Sequence, residues 1–293
     1  MTVVEPSPPT AGPAPATGRA RAPRVPIDWQ AVWAVVNKDV TAVRRSKAVV
    51  LPMLLVPVLM LVGLPLFISF ASARNGGLHI DSFLSNVPHH LAAPILSLPP
   101  KQQAIVLVLG FLVAPLFLIV PLMVSAVLAA DAFAGEKERK TLETLMHLPI
   151  SDRDLYLSKL LSAFIPSVVI SWVGFAIYLV VSNASAWPVM HRIFLPTWLW
   201  AVVIFWVAPA VAALGLGVMV RVSARARTSQ EANQLGGTVI LPIVILVVGQ
   251  TSFLLLAQIW VSLTVGAVVW AIAIWLNLRG ARRFTRDMLA TRL

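Results

Sequence analysis

Six apolar runs dominate this chain, at residues 48–71, 104–130, 160–181, 197–220, 236–256 and 259–278. Each reaches the roughly 20 residues that a helix needs to cross the hydrocarbon layer of a bilayer. None has an Asp, Glu, Lys, Arg or His in its interior. Only 12% of all residues are charged and 58% are hydrophobic, whereas soluble domains carry about 25% charged residues. The expected fold is an all-α integral membrane protein with six transmembrane helices, the last two joined by a tight turn near Ala257 and Gln258.

The flanking segments predict how those helices are oriented. Of the 23 Lys and Arg, all but Arg74, Lys101 and Arg192 fall before residue 48, within 131–159, within 221–227 or after residue 278. The positive-inside rule then places both termini in the cytoplasm of a multi-pass plasma-membrane protein. Residues 1–26 hold seven prolines with Arg19, Arg21 and Arg24 and no apolar signal core, which predicts a disordered cytoplasmic tail. Over 27–47, Trp29, Val32, Trp33, Val36, Val40 and Val43 share one helical stripe, while Asp28, Lys38, Asp39 and Arg45 lie off it. That pattern predicts an amphipathic helix in the membrane interface. Residues 279–293 form a basic cytoplasmic C-terminus. The net charge of +11 is thus a topology signal and a contact for anionic lipid, not a nucleic-acid footprint.

Between the second and third runs, Asp131 to Lys159 carries half of the twelve acidic residues. Glu136 and Lys140 stand at i,i+4, and Leu142, Leu145 and Met146 share a face, so the segment starts as a helix. Pro149 ends it. Ser151, with Asp154 three residues on, reads as a capping box opening the next helix. The result is a charged helical hairpin joined to a span at each end. The charge pattern alone reads equally well as a solvated loop. The second inner loop, at 221–237, holds Arg221, Arg225 and Arg227, and Thr228 is placed to cap a helix with Glu231 three residues later. A plain basic loop also accounts for those arginines.

The string AGEKERKTLETLMHLPIS resembles the signature loop of the type-2 permease family of ATP-binding-cassette (ABC) exporters. Gly135, Glu136, Glu138, Thr141, Leu142, Glu143, Pro149, Ile150 and Ser151 carry the likeness; Lys140 stands where the family often has Gly. The resemblance extends over Ile27 to Arg283 in span count and order. It implies a cytoplasmic coupling helix in which Glu136, Lys137, Glu138, Arg139, Thr141, Leu142, Glu143 and Leu145 face a nucleotide-binding ATPase subunit. It also implies pairing with a second permease copy or a related half-permease. Arg225, Arg227 and Glu231 then belong to an inner loop before the fifth span, which with the second span flanks the transport route.

Uncharged spans lack the ionisable groups that ion-driven transporters need. The chain has no phosphate-binding GxxxxGK[ST] loop, no HExxH or GxSxG motif and no cysteine. Glu136 and Glu138 point to nearly opposite sides of a helix and make no acid/base pair. The expectation is a non-enzymatic permease that binds no cofactor itself, with ATP and Mg in the partner subunit. A scaffold recruiting an ATPase and a partner-gated channel are the rival readings. Ser125, Thr238 and Gln250 are candidates for the translocation route, although hydrogen bonding to neighbouring helices is the favoured reading of each. Recurrent prolines (Pro65, Pro115 and Pro209 among them) predict bends. Ala213, Gly215 and Gly217 predict a close-packed helix face. His79, His89 and His90 read as loop histidines rather than metal ligands. Asn183-Ala-Ser185 matches a glycosylation sequon by a pattern short enough to recur by chance.

Overall fold

The computed structural model describes residues 27–74, 89–139, 150–226, 228–238 and 259–283. They fold almost wholly into helices. Helix α1, Trp29–Arg45, starts where the Asp28 carboxylate accepts the backbone N–H groups of Gln30 and Ala31 at 3.0 and 3.1 Å. Helix α2 runs through Lys47–Val58, a widened π-turn at Leu59–Gly63, and Leu64–Arg74. Helix α3 is short, His89–Leu96. Among the described residues, four helices are long and apolar enough to cross a membrane: α4, Pro100–Gly135 with a last turn at Glu136–Glu138; α5, Asp152–Met190; α6, Trp198–Ser223; and α8, which spans Ile259–Arg283. Between the last two, residues 229–238 form α7. The 20 residues after α7, and with them most of the run expected at 236–256 and the turn at Ala257–Gln258, lie outside the described residues. So do the tail at 1–26 and the last ten residues.

Expected and observed helix limits differ most in α5. The run at 160–181 lies inside a helix of 39 residues that continues past Ser182 and Asn183. Asn183 reads as loop because its partners beyond the helix lie 11 and 12 residues on. The Asn183 side chain donates to the carbonyls of Leu179 and Leu195 and accepts the N–H groups of Phe194 and Leu195. The sequon nitrogen therefore bonds one carbonyl within α5 and one in the α5–α6 connection, which it folds back on the helix. Ser185 meets Ser69 of α2 at 2.9 Å.

Helices α4 and α6 form the buried centre of the bundle. Gly215 is what lets them approach: a Cβ there would stand 2.6 Å from Ser125 Oγ and 3.2 Å from the Leu122 carbonyl oxygen. The small-residue face expected on α6 is thus a contact with α4 on one side. On the other it contacts α8, where Asn277 donates to the Ala213 carbonyl at 2.9 Å. Outward faces of α2, α5 and α8 expose Leu51, Phe67, Trp172, Val180, Trp260 and Trp275. Such apolar breadth belongs to helices that face lipid.

The bending prolines have a specific structural consequence. One or two residues before Pro65, Pro115 and Pro209, the N–H groups of Leu64, Val113 and Ala208 reach back five residues, to Leu59, Val108 and Val203. Each wide turn makes room for a ring that lacks a donor. Neighbouring rings then bond carbonyls in these turns: Tyr178 to Leu109 at 2.7 Å, Trp200 to Gly110 at 3.0 Å, and Trp270 to Trp206 at 3.2 Å. Tyr178 and Trp200 also pack with Phe117 and Phe175 into one buried aromatic cluster.

Charge is sorted between the two ends of the bundle. One end gathers the C-terminal ends of α4 and α6 with the N-terminal ends of α5 and α7, and α1 lies across it. At the opposite end, Gln102 of α4 donates to the Val189 carbonyl of α5 at 3.1 Å; Lys101 follows Pro100 there and Arg192 follows α5.

Candidate functional site

At the charged end, α4 changes from an α-helix to a π-turn over Asp131–Gly135 before its last turn, Glu136–Glu138. Gly135 permits a close crossing in this turn. A Cβ there would lie 2.8 Å from Asp131 Oδ1, the atom on which the Arg139 guanidinium closes. The wider turn also directs Glu136 back into the protein, where it is buried.

Glu136 meets Lys159 of α5. The Lys159 ammonium, only 3% exposed, bonds the Glu136 carboxylate and lies 3.0 Å from Asp39 Oδ2 of α1. Lys38 closes the cluster from outside, 3.1 Å from Asp39 and 3.4 Å from Glu136. Burial works against the Lys38 charge, but the carboxylates of Asp39 and then Glu136 outweigh it and hold its pKa above the ordinary 10.5. Between Asp39, Asp131, Glu136, Arg139 and Lys159 the remaining space is about 20 Å³, room for about one water and for no solute. Three helices are joined by one compact, charge-balanced contact.

Apolar packing supports this joint. Val32 and Val36 of α1 are buried. Val35 meets Ile150 and Leu155 at the start of α5, and Val43 packs on the cluster containing Ala130 and Ala134. Trp29 and Trp33, on the other edge of the expected stripe, are half exposed. The α1 stripe therefore serves two surfaces, one against protein and one turned outward. Ser151 caps α5 by accepting the Asp154 N–H at 3.1 Å. The Asp154 carboxylate is buried and accepts the Asp28 N–H at 3.5 Å, pinning the start of α1 to the start of α5.

Glu138 turns the other way. Its carboxylate accepts both the backbone N–H and the hydroxyl of Ser229, at 3.1 and 3.0 Å. These bonds, the backbone one first, hold its carboxyl below the ordinary 4.5. Thr228 caps the same helix, accepting the Glu231 N–H at 3.0 Å as the spacing anticipates. Arg225 is exposed nearby.

Of the residues assigned to ATPase coupling, Glu136 and Arg139 are engaged inside the chain, and Glu138 bridges to α7. Thr141, Leu142, Glu143 and Leu145, the side chain of Lys137, and Arg227 lie outside the described residues. Ser125 has no exposed surface and bonds the Leu122 carbonyl within α4. Thr238 is exposed at the end of α7, on the Gln234 carbonyl, and Gln250 lies outside the described residues. The same holds for His79 and for the side chains of His89 and His90. Among the described residues no three His, Asp or Glu converge as a metal site requires.

Sequence reasoning missed Asp39 and Lys159. One signal was available: Lys159 shares a helical stripe with Leu155, Ser162 and Ala163, all buried. Chemically, the site offers neither a nucleophile nor a pocket at its centre. It offers a linkage of the end of α4 and the start of α5 with α1.

No curated protein matches the chain. A family model described as ABC-2 family transporter protein matches residues 33–276, which include α1 from Trp33 on, the joint, and α8 as far as Leu276. The chain therefore belongs to the ABC-2 family of transporter proteins.

Proposed function

We propose that this chain is the permease subunit of an ABC exporter, driven by a separate ATPase that seats on the hairpin between α4 and α5. Members of the family are generally the membrane-spanning permeases of ABC transporters and work with ATP-binding subunits. The single observation that carries the coupling role is the buried contact of Lys159 with Asp39 and Glu136, which roots both arms of the hairpin on α1. A push on the hairpin would then move α4, α5 and α1 together. Thr141, Leu142, Glu143 and Leu145 form the ATPase-facing part, with Lys137 at its edge. Glu136 and Arg139 hold the base of the lever.

In this reading the chain has six spans, its charged end and both termini are cytoplasmic, and it resides in the plasma membrane. It pairs with a second copy or a related half-permease, and its arginines rest on anionic lipid. ATP and Mg are bound by the partner, and substrate leaves by alternating access. Purification of the tagged full-length chain from native membranes tests this. A stoichiometric partner containing a phosphate-binding loop should co-purify, and combined Leu142→Ala, Glu143→Lys and Leu145→Ala substitutions should release it. Absence of such a partner, or its unchanged retention by the triple variant, overturns the proposal.

A further inference from the structure

Ser229 opens α7, and α7 leads directly into the fifth apolar run. Its first N–H groups have no partner within the helix and need an outside acceptor. Thr228 supplies one acceptor for Glu231, and Glu138 supplies another for Ser229, from the far end of α4 and 91 residues away in sequence. A carboxylate suits a helix N-terminus because the aligned peptide dipoles leave partial positive charge there. The same two elements also pack through small side chains. Ala226 and Ala232 are buried in one cluster with Ala130 and Ala134 of α4, and Gly236 lies against Met219 of α6. The second inner loop is therefore docked on the base of the hairpin by a polar bridge and an alanine contact.

We infer that Glu138 is a positioning residue that makes the end of α4 and α7 move as one body, so that displacement of the hairpin reaches the fifth apolar run through Ser229. This rests on the ATPase-driven reading above and adds a route within this chain for the motion. Glu138 acts through α7 rather than by touching the ATPase or the transported solute. Its contact with Ser229 persists as the hairpin moves.

The chain has no cysteine, so spin labels can be placed singly or in pairs. One pair reads the hairpin base (Lys137→Cys with Ile193→Cys at the opposite end), and a second reads α7 (Gln234→Cys with Ile193→Cys). Distances are measured in the complex with its ATPase, nucleotide-free and trapped with Mg·ATP and vanadate. With Glu138 intact, both distances should change on trapping. With Glu138→Ala the hairpin distance should still change while the α7 change collapses; Glu138→Gln, which keeps an acceptor without the charge, should retain part of it. An α7 change in Glu138→Ala equal to that with Glu138 intact overturns the inference while leaving the ATPase reading standing. An absence of change at Lys137 in the intact chain overturns that reading and the inference together. Joining Glu138→Cys to Ser229→Cys with a short bifunctional thiol reagent gives a second test. Retained nucleotide-dependent hairpin motion supports a bridge that stays closed, and an immobilised hairpin contradicts it.

Discussion

Replacing Lys159 with Met keeps most of the side-chain volume but removes the ammonium from between Asp39 and Glu136. Both carboxylates are nearly buried and would be left facing each other beside Lys38. Lys38 is more than half exposed, so its charge is screened and cannot replace the lost one. Breaking a buried pair from one side costs about 3–5 kcal/mol, chiefly because the remaining charge stays desolvated. At roughly 2–4 °C per kcal/mol, the low end of that range lowers Tm by about 6–12 °C. Thermal unfolding of the purified chain in lipid nanodiscs, followed by loss of helical signal, reads this directly. The double variant Lys159→Met with Glu136→Leu should recover much of the loss, because an apolar replacement of a buried pair is often neutral. A Tm for Lys159→Met equal to that of the unaltered chain would refute the buried joint. So would a double variant as unstable as the sum of the two single changes, since that would mean the two side chains do not interact.

Three further outcomes are expected. Gly215→Ala should destabilise the α4–α6 contact by about 1–3 kcal/mol through overpacking, whereas Gly63→Ala, which has nothing within 4 Å of the added methyl, should be near neutral; paired thermal melts distinguish them. Trp200→Phe keeps the ring in the aromatic cluster but strands the Gly110 carbonyl, at a cost of about 1–3 kcal/mol, measurable in the same assay. The carboxyl of Glu138 is depressed in the folded state, so its contribution is complete above the unfolded value near 4.5 and disappears as pH falls through the lower folded value. Amide exchange at Ser229, corrected for its intrinsic pH dependence, should therefore keep constant protection from pH 8 down to about 5 and lose it only below pH 4.5; protection already lost at pH 6 would be the wrong sign.

The helices were legible because their signals are local. Apolar runs, the Ser151 and Thr228 caps, the prolines and the Ala213–Gly217 stripe all act within a few residues. The joint was not legible, because its contacts cross 120 residues from Lys159 to Asp39 and 98 from Lys38 to Glu136. Lys38 and Asp39 read as the polar face of an interfacial helix. Lys159 read as one more inside charge, which is what charge counting makes of any lysine beside a span. The length of α5 was hidden for the opposite reason. Asn183 looks like a loop residue until the carbonyl of Leu195 and the N–H of Phe194 satisfy it. Ser125 fits a route-lining pattern by type, yet the absent side chain of Gly215 brings α6 directly over it.

The most direct test of the account is the ATP turnover of the assembled complex, compared with a complex whose residues 141–145 are replaced by a Gly/Ser segment of equal length. The account predicts that turnover falls to that of the ATPase subunit alone while the chain keeps its helical fold in the membrane. Turnover unchanged by the replacement would contradict it, since the hairpin would then not be where the two subunits communicate.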